Sequence, residues 1–241
     1  MIDDNDTWGR SGRVVGGEAG AKEIDMGLRS HMIRVYNYMT IGLGLTGLVA
    51  YLSAPFLINL FMSGSPLVFV LMFAPLGVVL FLSFGINRMS FATAQMTFWG
   101  YAVLMGLSLS SIFMTFSLGD IARAFFISAS MFGAMSLYGY TTRKDLTGMG
   151  SFLFMGVIGL IIASVVNLFV QSSGLQFVVS ILAVLIFTGL TAYDTQKIKE
   201  IYYSADSAEV AGKKAVMGAL SLYIDFINIF IHLLHLFGRR D

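Results

Sequence analysis

Read for polarity alone, the chain is a succession of long apolar runs broken by short polar joints. The runs cover about residues 35–54, 66–84, 94–117, 121–140, 151–170, 175–194 and 215–237. Most reach the ~20 residues that a helix needs to cross ~30 Å of hydrocarbon. Strands of a membrane barrel would be about half as long and would alternate in polarity, and these runs do not alternate. The joints are short: Ser63-Gly64-Ser65, Gly85 to Arg88, Gly119-Asp120, Thr141 to Gly150, Gln171 to Gly174, and a longer stretch over 195–214. The pattern predicts an all-α integral membrane bundle of seven helices. Asp120 is expected to cap the fourth helix, and Pro75 to kink the second.

Composition agrees and adds constraints. Of 241 residues, 56% are hydrophobic and 12% charged, about half the charge of a soluble domain. The 26 glycines suit helices that approach closely in lipid, with Gly100, Gly106, Gly156 and Gly159 as expected packing points. A net charge of +1 offers no basic field for nucleic acid. With no cysteine, disulfide and thiol chemistry are excluded. Residues 1–27 are polar and glycine-rich and read as a flexible cytosolic tail, which leaves 28–241 as one transmembrane domain. No cleavable leader is evident ahead of the first apolar run. Basic residues fix the orientation. With the N-terminus in the cytoplasm, twelve Lys and Arg fall on the inner side and three on the outer.

Within the last run, Ser221, Asp225, Asn228, His232 and His235 recur at spacings of four and three, which puts all five on one helix face. That face cannot meet lipid, because a central carboxylate costs ~2.5–3.5 kcal/mol even on the mildest insertion scale. It must lie against other helices or a wet cavity, either as interhelical hydrogen bonds or as an ion or proton path. Asp194 ends the sixth run, where it is either an interfacial charge or a functional carboxylate. His232 and His235 with Asp225 fall short of a four-ligand metal site, and packing accounts for them as well. No nucleophile elbow or phosphate-binding glycine loop is present, so no enzyme and no resident cofactor are expected.

Three stretches carry a resemblance: Phe132 to Asp145 (FGAMSLYGYTTRKD), Gly189 to Lys197 (GLTAYDTQK) and Leu220 to Phe230 (LSLYIDFINIF). They closely resemble the bacterial branch of the Bax inhibitor-1 family, and the likeness runs from about residue 28 to the C-terminus. It implies six helices around a central seventh, in the inner (plasma) membrane of a bacterial cell. It also implies a calcium leak whose gating responds to pH. By motif, Asp194 and Asp225 then form the hydrogen-bonded carboxyl pair that senses pH and transiently meets calcium, and Arg88, by its place at the cytoplasmic end of the second helix, is the candidate counterion. Two carboxyls at that distance share a proton and titrate as a unit. At ~1.5 Å per residue, however, Asp194 lies ~28 Å from the outer end of its run and Asp225 only ~20 Å. They meet only if the last helix is displaced toward the cytosol or crosses incompletely. Other readings are a regulator that binds a membrane protease or another membrane complex, and a proton-coupled transporter. The absence of evident broken helices disfavours the transporter.

Overall fold

The computed structural model describes the backbone of residues 11–238 and the side chains of residues 26–238. The expected tail over residues 1–27 lies largely outside those side chains, as do Arg239 and Arg240. Among the described residues eight helices follow one another: α1 (Ser11–Met62), α2 (Pro66–Gly85), α3 (Phe91–Leu109), α4 (Ile112–Thr115), α5 (Leu118–Thr141), α6 (Thr147–Val170), α7 (Ser173–Glu200) and α8 (Ala208–Phe237). Seven segments are long and apolar enough to cross a membrane: Met26–Met62 of α1, α2, α3 with α4, and each of α5 to α8.

Serines start most of these helices. Ser65, Ser90, Ser117, Ser172 and Ser207 each accept a backbone N–H of the first turn that would otherwise lack a partner. Asp120 is therefore not the cap that the sequence suggested. Ser117 occupies that position, accepting the Asp120 N–H at 3.2 Å and donating to its carboxylate at 3.0 Å. α2 runs as one element through Pro75, and α1 likewise through Pro55, which the apolar pattern did not flag. The third span, by contrast, is broken at Ser110–Ser111. Ser110 and Ser111 both turn their hydroxyls back onto carbonyls three residues earlier. Such local bonds compete with the helical ladder, so a broken helix exists where none was expected.

The helices are layered around α8, which packs against α7, α1, α5 and α3. α2 lies outside against α3 and α1, and α6 outside against α7. Burial follows this order. In the most apolar 18-residue window of each span, 67% of α8 is buried, against 11% for α2 and 6% for α6. Hydrocarbon cannot drive helices together, so contacts rest on close packing and interhelical hydrogen bonds. Fully buried Phe98, Tyr101 and Tyr223 stack edge-on between α3 and α8. Thr46 of α1 ties this cluster together, donating to the Ala102 carbonyl (2.8 Å) and sharing a hydrogen bond with the Tyr223 hydroxyl (2.6 Å).

Glycine is decisive where helix backbones meet, at one expected position, Gly106 against the Thr46 carbonyl, and at one that was not expected. Gly139 of α5 sits directly on the backbone carbonyl of Ala192 in α7, where no side chain fits. Gly106 and Gly156 do face close neighbours, whereas Gly100 and Gly159 open onto free space. Those two are corrected: being glycine does not say which face of the helix a residue occupies.

Candidate functional site

α7 and α8 run antiparallel, and one polar contact fixes their register. His232 of α8 meets the Ser180 hydroxyl of α7 through Nδ1 at 3.3 Å. Counting from that level, Asp194 is fourteen residues along α7 and Asp225 seven residues along α8. At 1.5 Å per residue this contact offsets the two backbone positions by about 10 Å, and the packing of Gly218 of α8 on Ile198 of α7, nearer the aspartates, reduces that to about 5 Å. α8 is neither displaced nor short; it spans thirty residues, Ala208–Phe237. Part of the offset read from the sequence persists, and Oδ2 of Asp225 has no hydrogen-bond partner. The direct proton-sharing contact implied by the resemblance is absent in this structure.

What the two aspartates share is a cavity. A chamber of about 550 Å³ lies where α6, α7 and α8 diverge, and both carboxyls line it together with Ser221, Ser151 and Lys197. Asp225 is 3% exposed, and its Oδ2 is buried with no hydrogen-bond partner. A carboxyl oxygen without a donor inside a membrane bundle is costly and needs a reason. Asp194 is half-buried near the end of α7, and its charge bears on Asp225 across the chamber. Lys197, one turn further along α7, bears on Asp194 in turn. Arg88 is elsewhere. It is exposed in the turn between α2 and α3, away from the chamber and without an ion pair among the described residues. The cation beside the aspartates is Lys197.

The polar stripe of α8 divides between two cavities. Ser221 and Asp225 face the first chamber. His232 and His235 line a second one, of about 500 Å³, with Asn167 and Gln171 of α6 and Gln176 and Ser180 of α7. Asn228 lies between the two and donates from Nδ2 to the Ile224 carbonyl of its own helix at 2.8 Å. Among the described residues no three His, Cys, Asp or Glu side chains converge on one point. Two carboxylates facing a chamber can contribute hard oxygen donors to a passing calcium ion, although they do not enclose it.

Two polar devices that hold α7 to its neighbours were missed by sequence reasoning. Buried Gln196 accepts the Leu146 N–H and donates to the Lys144 carbonyl, both at 2.8 Å, and so clamps the loop between α5 and α6. In that loop Asp145 accepts bonds from the hydroxyl and the backbone N–H of Thr147, which hold its carboxyl below the usual range. A hydroxyl chain also runs from Tyr36 of α1 to Ser136 of α5 (3.0 Å) and on to Thr195 of α7 (3.1 Å), beside Asp194. Gln196 and Thr195 directly follow Asp194 in the sequence, so their adjacency to it was the only available signal.

Comparison with known proteins agrees with this architecture. The family model described as inhibitor of apoptosis-promoting Bax1 matches residues 28–241. An uncharacterized protein of Rickettsia prowazekii is 50% identical over 222 residues, covering 91% of this chain and 93% of its own. The inner membrane protein YbhL of Escherichia coli K12 is 44% identical over 218 residues, covering 89% and 93%. An uncharacterized membrane protein of Streptococcus pyogenes is 38% identical over 220 residues, covering 90% and 96%.

Proposed function

This chain belongs to the Bax inhibitor-1 family, and from that premise we propose that it is a pH-responsive cation leak, with calcium as the permeant ion. The observation that carries the proposal is the Asp225 carboxyl. It is buried on the most enclosed helix of the bundle, with one oxygen unpartnered and a second carboxyl facing the same chamber. A purely structural aspartate at this depth would satisfy both oxygens, since a lone buried acceptor forfeits its hydration for nothing. A passing cation supplies the missing partner.

When both carboxyls are protonated, the chamber is neutral and offers a cation little. Ionisation makes it a compact anionic site with oxygen donors suited to calcium, and the like charges repel each other. Flux then rises with pH. The proposed setting is the inner membrane of a bacterium, consistent with the name of the Escherichia coli relative. The basic loops that hold Arg88, Arg143 and Lys144 then face the cytoplasm, so the chamber opens inward.

The test is calcium entry into dye-loaded liposomes across a pH series. Asp225→Asn is expected to reduce flux and flatten its pH profile, and Asp194→Asn to displace that profile. Profiles unchanged in both variants would remove the mechanism. A chain that carries no ion in any form but retains a membrane protein partner would point instead to a regulatory role.

A further inference from the structure

We infer that the groove between α1 and α5 is a binding site for one anionic phospholipid of the membrane, with its phosphate at Arg29 and its acyl chains laid against α8. The site does not depend on the leak proposed above.

α1 and α5 each pack against α8 without packing closely on each other. The gap between them is a cavity of about 1110 Å³. It runs from Arg29 to Leu48 along α1 and from Tyr140 to Phe125 along α5, and Phe226 of α8 lines it from within. Its glycines keep the space open. A side chain built at Gly44, Gly47 or Gly133 meets no atom within 4 Å, although small residues in membrane helices ordinarily serve close approach. The lining is mostly apolar, and apolar walls do not hold water. An empty space of this size forfeits the contacts of every atom around it. Within a bilayer the groove is therefore filled by something apolar.

Volume and charge identify the occupant. At 1.5 Å per residue the step from Arg29 to Leu48 is ~28 Å, and a helix of that length and ~10 Å diameter displaces about 2000 Å³. Even with the cavity of about 320 Å³ that continues the groove past Gly47, a partner helix would seat only part of its width. Acyl chains are narrower and enter one at a time. A chain that starts at Arg29 reaches the bilayer midplane in ~15 Å, half the hydrocarbon thickness, and Gly133, seven residues from Tyr140, lies within that reach. Among the described residues that line the groove, Arg29 alone is charged. It is exposed and makes no ion pair among the described residues, and its guanidinium matches a phosphate in bidentate geometry. Lys199 reinforces the same end, donating from Nζ to the Tyr140 carbonyl at 2.9 Å, and Arg143 and Lys144 follow in the next loop. Asp145, the acidic member of that loop, accepts the Thr147 N–H. Basic pockets between transmembrane helices are where anionic headgroups bind.

The test is mass spectrometry of the purified full-length chain released from detergent micelles, with phosphatidylglycerol or phosphatidylcholine of matched chains added. One lipid is expected to stay bound, with phosphatidylglycerol retained about fivefold more than phosphatidylcholine, the selectivity that one cation gives near a membrane surface. Arg29→Gln should erase that preference and leave the chains bound. Gly133→Leu and Gly44→Leu should each lower retention of both lipids severalfold. Their thermal midpoints in lipid-free detergent should stay unchanged, because the new side chains enter open space. A ladder of several lipids with equal retention of the two headgroups would identify an annular coat and overturn the site. So would a preference that survives Arg29→Gln, or retention unchanged in both leucine variants. A dimer that Gly133→Leu dissolves would place a second copy of the chain in the groove, and would overturn the lipid as well.

Discussion

Removing the Asp194 charge tests the coupling between the two carboxyls quantitatively. The contacts of α7 with α8 offset Asp194 and Asp225 by about 5–10 Å along the helix axes. Two unit charges about 10 Å apart, at an effective dielectric constant of about 20, repel by about 1.7 kcal/mol, and closer ones by more. At 1.36 kcal/mol per pH unit, that corresponds to a displacement of about one unit. In Asp194→Asn, Asp225 ionises without a charged neighbour, so calcium flux in liposomes should reach half-maximum about one unit lower in pH than in the unsubstituted chain. A chamber filled with water screens the charges better and makes the displacement smaller, but the sign stays fixed. Raising the salt concentration should shrink it further, since screening acts on whatever part of the field passes through water. Coincident midpoints, or a midpoint displaced to higher pH, would show that Asp194 does not act on Asp225 electrostatically. The chamber would then hold two independent groups.

Four other substitutions test the frame that holds the chamber. Gly139→Ala forces a methyl group onto the Ala192 backbone and should cost about 1–3 kcal/mol. Gly133→Ala on the same helix meets nothing and should leave the thermal midpoint in detergent unchanged. Gln196→Leu strands the Leu146 N–H and the Lys144 carbonyl at about 1–3 kcal/mol, and limited proteolysis should then cut the Thr142–Leu146 loop faster. Tyr223→Phe deletes the bond to Thr46, which keeps its bond to Ala102. The loss should stay near about 1 kcal/mol, measured by thermal unfolding.

The spans and the enclosed position of α8 were legible because each depends on one segment at a time. Length and apolarity identify a crossing helix, and five polar side chains at helical spacing require shelter wherever their neighbours lie. The third span was misjudged at Ser110–Ser111, where hydroxyl groups bond to the chain's own carbonyls and polarity averaged along a run does not register it. Gly139 and Gln196 were missed for another reason. Their partners, Ala192 and the Lys144–Leu146 loop, are about fifty residues away in sequence, and composition says nothing about which faces meet. Arg88 was assigned by its place in the chain, yet the α2–α3 turn holds it on the outer layer, while Lys197 reaches the chamber from the helix that carries Asp194.

The register of α7 on α8 explains most of what the sequence could not supply. A single polar stripe on α8 read as one site, and the aspartates read as a pair in contact. Holding His232 level with Ser180 separates these roles. The seven-residue step from Asp225 to His232 is about two turns, roughly 10 Å, too far for one ligand to bridge both. The stripe thus serves two chambers with different donors: carboxylates in one, imidazoles and amides in the other. Asn228, between them, donates from Nδ2 to a carbonyl of its own helix and belongs to neither chamber's lining.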